Sequence, residues 1–511
     1  MLMKKILIAA LVASSAIAAQ AVTVKLTPKE DAPVIEKEIY GQFTEHLGTC
    51  IYGGIWVGPE SSIPNTDGYR NDVLQAMRDL HIPVMRWPGG CFADEYHWRD
   101  GIGPRSERPR MVNNNWGGTV EDNSFGTNEF FNLCELIGTE PYLSGNVGSG
   151  TVAELAQWVE YITAEDGPMA KLRKQNGREK PWKLKYLGVG NESWGCGGNF
   201  TPEFYANVYR RYQTYCRDYD GNHLYKIASG ASDYDYTWTE VLMKNAGSHM
   251  NGISLHYYTI FDWNNKHSAT QFTPDEYYWI LGKCLEIEPV IKRHMEIMDR
   301  YDPQGRVGLL VDEWGTWFDV EPGTNPGHLY QQNTMRDAMV AALSLNVFHR
   351  LSKRVKMANI AQFANVLQSM LLTRDDKMVL TPTYYVFKMY VPHQGAKLVD
   401  ATCDAGYRMV DGDRLVPNVS VTASEKDGGY CISLTNVDLN EKQEIEIPLK
   451  PLGKDRWNLT AEILTCNKIT DYNDFGAPAK VKLEEFTGCR VDKGLLKFTM
   501  PAKSIITINL K

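Results

Sequence analysis

Several kinds of signal are missing from the 511 residues, and each absence excludes a class of protein. No Cys-x-x-Cys occurs among the ten cysteines, which removes zinc knuckles and thioredoxin-type redox motifs. The cysteines (50, 91, 134, 196, 216, 284, 403, 431, 466, 489) are too sparse for a disulfide scaffold. Most are expected to be buried free thiols, and pairing among the last four is left open. No two of the eleven histidines stand four apart, so no helical metal pair is offered. Basic runs are also absent. The formal net charge is −8, and about −10 without Lys4 and Lys5, which argues against nucleic acid as a partner.

Long apolar runs are confined to the N-terminus. MLMKKILIAALVASSAIAAQA pairs two lysines with an apolar run from Ile6 to Ala19 and ends on a small-x-small triplet. That is the pattern of a signal peptide over residues 1–21, and the run is too short for a membrane span. The expectation is an exported protein, periplasmic or secreted, with no membrane-spanning segment.

What is present is a rhythm. Short apolar runs with Gly/Asn/Ser-rich exits alternate with helical segments from about residue 39 to 390: EIYGQF, IPVMRW, PYLSGNV, LKYLGVGN, KIASGAS, GISLHYY, VGLLVDEW and MANIAQF. Eight such units predict an α/β fold, a (β/α)8 TIM barrel. Thr151 with Glu154 has capping-box spacing, Thr201-Pro202 reads as a helix start, and Pro289 should kink or split a long helical segment. Beyond residue 390 apolar and polar positions alternate, as in YCISLTNVD and SIITINLK, which predicts a C-terminal antiparallel β-sandwich over 391–511. Val22, Val24 and Leu26 alternate likewise, so 22–38 is expected to add a strand to it.

Two motifs fail on inspection. GNVGSGT has Thr151 where a phosphate loop needs lysine, and GNESWG has Asn191 where a nucleophile elbow needs glycine. Neither a nucleotide site nor a serine hydrolase is supported.

Active sites of such barrels lie at the C-terminal ends of the strands. The polar residues there are Glu45, His46, Arg86, Cys91, Asn191, Glu192, His256, Tyr257, Tyr258, Asp312, Glu313, Trp314 and Gln362. Glu192 and Glu313 are 121 residues apart, three βα units, and so are expected to face one another across the mouth. Two facing carboxylates, one protonated and one ionised, can cleave a glycosidic bond. Repulsion from the ionised one keeps the other protonated. Trp87, Trp98, Trp116, Trp194, Trp314 and Trp317 supply aromatic faces of the kind sugars pack on, with Trp87 and Trp314 fitting core or rim equally.

The stretches IYGQFTEHLGTCIYGGIWVG, MRWPGGCFADEYHWRDGIGP, GVGNES, SLHYY, VDEWGTW and ANIAQFANVLQ together resemble glycoside hydrolase family 51, the α-L-arabinofuranosidases. The resemblance spans nearly the whole chain after the signal segment. It implies an exo-acting, retaining enzyme that releases arabinose from arabinan or arabinoxylan fragments, with Glu192 as acid/base and Glu313 as nucleophile. It further implies sugar contacts from Glu45, Asn191 and Gln362, a surround of the nucleophile by His256 and Tyr258, and flanking by Trp116 and Trp317. Neither metal nor other cofactor is implied, and copies are expected to assemble, as hexamers. Cys91 stands where comparable members carry Asn, so it is expected to be a weaker sugar partner and a target for thiol reagents. An endo-β-glucanase of the same clan and a silent carbohydrate-binding protein are the alternatives. The first would need an open cleft, and the second has no need of a matched acid and nucleophile.

Overall fold

The computed structural model describes residues 21–454 and 456–511. The signal-peptide reading of residues 1–21 falls almost entirely outside them. Eight strands form a closed, all-parallel barrel: β1 (Gly41–Phe43), β2 (Val84–Trp87), β3 (Glu140–Gly145), β4 (Tyr186–Val189), β5 (Tyr225–Ser232), β6 (Gly252–Thr259), β7 (Gly308–Thr316) and β8 (Val355–Ile360). β8 pairs with β1 to close the ring. A helix follows each strand, as a parallel connection requires. Val84, Tyr142, Tyr186, Ile227, Leu310 and Met357 cluster as a layer filling the lower barrel.

Local chemistry explains the helix ends. Thr151 and Thr201 accept from the backbone N–H groups of Glu154 and Phe204. The Glu154 carboxylate turns instead to His97 at 2.9 Å, whereas Thr273 and Glu276 close a full reciprocal box. Helical structure breaks between Pro274–Leu285 and Ile287–Tyr301, which places Pro289 in a first turn, where its missing N–H costs nothing.

The helix after β7, Met335–Arg350, is buried almost all round. It lies between barrel and C-terminal domain, where Asn346 and His349 reach Ser420 and Thr422 at 2.9 Å each. That domain is a ten-stranded, mostly antiparallel sheet folded over its own apolar core, which includes Val24, Ile432, Ile447, Leu496 and Ile506. Val22–Thr27 enters it between Lys397–Cys403 and Gln443–Pro448, antiparallel to the first and parallel to the second. Among the described residues no helix is long and apolar enough to cross a membrane.

Candidate active site

At the exit of β4 the chain turns sharply through Gly190 (φ 93°), and Glu192 itself takes a left-handed conformation (φ 40°). That turn aims the Glu192 side chain inward. Across the mouth, β7 carries a register irregularity against both neighbours, between Val311 and Trp314 on one side and opposite Ser254–His256 on the other. The extra residue lets two consecutive side chains, Asp312 and Glu313, both reach the barrel interior. One oxygen of Glu192, one of Glu313 and a ring nitrogen of His256 lie within 4.8 Å of one another.

Each oxygen of Glu313 is held. Arg86 donates to Oε1 at 2.8 Å and Tyr258 to Oε2 at 2.8 Å. Arg86 also donates to Asn191 Oδ1 at 2.6 Å, so one buried guanidinium sets both the β4 and the β7 exits. His256 Nδ1 lies 2.8 Å from Glu192 Oε1 and 3.4 Å from Glu313 Oε2, with its Nε2 3.3 Å from Asp312 Oδ1. Glu45 Oε1 accepts from the backbone N–H of Gly90 and Phe92 and from Trp116 Nε1, and Oε2 accepts from Gln362 Nε2 at 2.6 Å. A Cβ on Gly90 would stand 2.8 Å from Glu313 Oε1, so a larger residue here would push the carboxylate out of place.

Burial and charge set the protonation states. Burial raises the Glu313 carboxyl above its ordinary value, and the Glu192 charge adds to this against the pull of His256 and Arg86. Burial disfavours a charged His256, yet Glu313, with the bonds to Asp312 and Glu192, pushes the ring up to about 10. The three carboxyl groups thus favour the protonated ring. Burial likewise raises Asp312, but Arg86 and the bonds from His256 and Tyr142 hold it below the usual range. Glu45 is pushed up to about 7, first by burial and then by Glu313.

The Glu45 shift has a measurable consequence. Its folded-state value lies above the ordinary 4.5, so the stability it contributes is complete below pH 4.5 and is lost as pH rises through about 7. The stability of the wild type relative to Glu45→Gln is expected to fall by a few kcal/mol, on the order set by the shift, between pH 5 and pH 8. Denaturant unfolding of both proteins at the two pH values checks this. A difference independent of pH would contradict the assignment.

The carboxylates open into a cavity of about 230 Å3. Glu45, Cys91, Trp116, Glu192, Tyr258, Glu313, Trp317 and Gln362 line it, while Asn191 and His256 stand behind, bonded to Arg86 and Glu192. Two larger depressions, about 550 and 560 Å3, lie at the edge of the C-terminal sheet and at the N-terminal ends of the barrel strands, away from these groups. Trp194 and the exposed Trp263 also line the cavity, and Trp263 packs edge-on against Trp317 at 5.3 Å.

Several expectations need correction. Trp98 is a core residue, 1% exposed, and Trp87 and Trp314, for which the sequence leaves core and rim both open, are core as well. His46 is buried too, 3.2 Å from Trp87 Nε1, and burial lowers it to about 3. Tyr257 points outward to the carbonyl of Lys283. Cys91 is not a free thiol: it is disulfide-bonded to Cys196, while the four C-terminal cysteines are unpaired. Arg86 and Asp312, present at the strand exits but not singled out from the sequence, prove central, and Trp263 was not found from the sequence at all.

A closed (β/α)8 barrel with facing carboxylates at the exits of its fourth and seventh strands defines a glycoside hydrolase. Models described as the alpha-L-arabinofuranosidase 1 domain and the alpha-L-arabinofuranosidase C-terminal domain match residues 76–274 and 312–504. The chain belongs to glycoside hydrolase family 51, the α-L-arabinofuranosidases.

An intracellular exo-alpha-L-arabinofuranosidase of Bacteroides ovatus is 62% identical over 507 residues, covering 98% of each chain. The crystal structure of a GH51 arabinofuranosidase from Xanthomonas axonopodis pv. citri superposes with a TM-score of 0.93 at 47% identity, covering 96% of this chain and all of that one. An arabinose complex of the Thermotoga maritima α-L-arabinofuranosidase gives 0.82 at 28% identity, covering 96% and 99%. The Bacteroides enzyme is named intracellular, which overturns the expectation of an exported protein. The error came from reading an apolar, lysine-led N-terminus as an export signal on pattern alone.

Proposed function

We propose that the protein is an exo-acting α-L-arabinofuranosidase that removes terminal arabinose from arabinan or arabinoxylan fragments with retention. The observation that carries this reading is the carboxylate pair within 4.8 Å, opening into a small cavity of about 230 Å3. That approach suits a retaining pair, whose carboxyl groups stand about 5 to 5.5 Å apart, and leaves no room for the water of an inverting one. The cavity favours one terminal sugar over a chain passing through, which an endo-glucanase would need.

In the proposed sequence Glu313 attacks the anomeric carbon while Glu192 gives its proton to the departing oxygen. The C–O bond to the leaving group breaks as the bond to Glu313 forms. Glu192 then takes a proton from water, which displaces Glu313 and restores the starting configuration. Arg86 and Tyr258 orient the attacking carboxylate, and the Arg86 charge pulls against the burial that raises it. His256 balances the charge left on Glu192 after its proton departs. Asn191, Glu45 and Gln362 are assigned to the sugar hydroxyls. Gln362 Oε1 is buried without a partner in the protein, an acceptor free for such a hydroxyl. Trp116 and Trp317 would flank the sugar, and Cys91, as half of a disulfide, would contribute surface and little hydrogen bonding.

Hydrolysis of an aryl α-L-arabinofuranoside, beside an aryl β-glucoside and a β-glucan, tests the reading. Release is expected from the first alone. Cleavage of the glucan without release from the arabinofuranoside would establish the endo-glucanase instead.

A further inference from the structure

We infer that Cys91, Cys196 and Glu192 form a binding site for a thiophilic divalent cation, of the zinc or cadmium kind, once the disulfide between the two cysteines is reduced. The site stands on geometry, and its effect on turnover rests on the proposed role of Glu192. Glu192 Oε1 is taken by His256 at 2.8 Å, whereas Oε2 faces the sulfurs, 3.8 Å from Cys91 Sγ and 3.5 Å from Cys196 Sγ. One donor atom from each of the three residues falls within 4.8 Å of the others.

The Cα atoms of the two cysteines are 5.5 Å apart. Two thiolates on one zinc, each at about 2.3 Å in tetrahedral geometry, stand about 3.8 Å from each other. Side-chain rotation alone can open the sulfurs to that distance across this span. Cys196 is exposed at the rim and Cys91 lines the cavity, so an ion has a path in. Two sulfur donors favour zinc or cadmium over magnesium or calcium.

A second donor set, Glu192 with His256 and Glu313, is less suitable, because both Glu313 oxygens are occupied by Arg86 and Tyr258. The sulfur site was invisible in the sequence because its donors come from the β2 and β4 exits, 105 residues apart.

The chemistry balances with an external reductant. A phosphine or dithiol supplies two electrons, the S–S bond breaks, and two protons, from the water whose oxygen the phosphine takes or from the dithiol's own thiols, leave Cys91 and Cys196 as thiols. The reductant departs as phosphine oxide or disulfide. Cation binding then releases both thiol protons and the Glu192 carboxyl proton to solvent and forms two metal–sulfur bonds and one metal–oxygen bond to Glu192. A metal-bound Glu192 cannot donate a proton, so turnover should fall about a hundredfold or more, the usual weight of general acid catalysis.

The experiment uses the full chain in oxidised form and in phosphine-reduced form with the phosphine removed. Both are titrated with zinc chloride while aryl arabinofuranoside hydrolysis and bound zinc per chain are read. Cobalt substitution reports sulfur ligation by its thiolate-to-metal absorption. The reduced form is expected to bind one zinc with loss of turnover that a chelator reverses, and the oxidised form to be indifferent. In the reduced state Cys196→Ser should retain turnover in zinc and lose the cobalt–thiolate band. Equal inhibition of both forms, or zinc binding unchanged in Cys196→Ser, would overturn the site. Absence of hydrolysis in either form would defeat the functional reading, and the zinc and cobalt measurements would still decide the site.

Discussion

Glu313→Ala is expected to reduce turnover by about ten-thousandfold or more, because under the proposed mechanism it removes the atom that forms the covalent intermediate rather than one that assists it. No nearby group can replace it. Asp312 is adjacent in sequence but is bonded to Tyr142 at 2.6 Å and lies beside Arg86 and His256, turned away from the cavity. Glu45 lines the cavity, yet its oxygens are committed to Gly90, Phe92, Trp116 and Gln362. The truncation leaves a carboxylate-sized space beside Arg86 and Tyr258, which favours a small anion. Azide should therefore restore part of the turnover and yield the arabinosyl azide of inverted configuration, since a single displacement replaces two. Product configuration by NMR decides it. Near-normal activity in Glu313→Ala, with the fold intact, would make the nucleophile assignment wrong. Glu313→Gln separates chemistry from folding, because it keeps the volume and a hydrogen-bond acceptor for Arg86 while removing the nucleophile.

The sequence carried the barrel and most of its site because both depend on short-range signals. Apolar runs with glycine-rich exits mark strand ends, and a barrel brings strand ends together whatever lies between them. What it did not carry depends on which way a side chain points. Trp314 and Glu313 are adjacent, and the pleat sends one to the core against Phe348 and the other to the cavity. A strict two-residue period would also have sent Asp312 outward, and only the irregularity in β7 reverses this. His46 sits at a strand exit but stacks within 5.9 Å of Tyr96 and 4.7 Å of Phe92, a burial that nothing local announces. The Cys91–Cys196 pairing required two loops to meet, and spacing along one chain does not reveal that.

Glu192→Ala should have an effect whose size depends on the substrate, and that dependence distinguishes an acid/base from a residue that merely shapes the site. With a poor leaving group, such as another sugar, the departing oxygen needs a proton, and the loss should be about a hundredfold to ten-thousandfold in kcat/KM. With a dinitrophenyl leaving group protonation matters little, so formation of the arabinosyl intermediate should be nearly unimpaired. Its breakdown still needs Glu192 to activate water, so the intermediate should accumulate and appear as a burst of dinitrophenol followed by a slow steady state. Added azide needs no base and should speed that slow phase, giving an arabinosyl azide of retained configuration, opposite to the product expected from Glu313→Ala. Two substitutions in one cavity of about 230 Å3 would thus yield opposite stereochemistry with the same reagent. Equal losses on both substrates would assign Glu192 a structural role, since a collapsed site cannot know its leaving group.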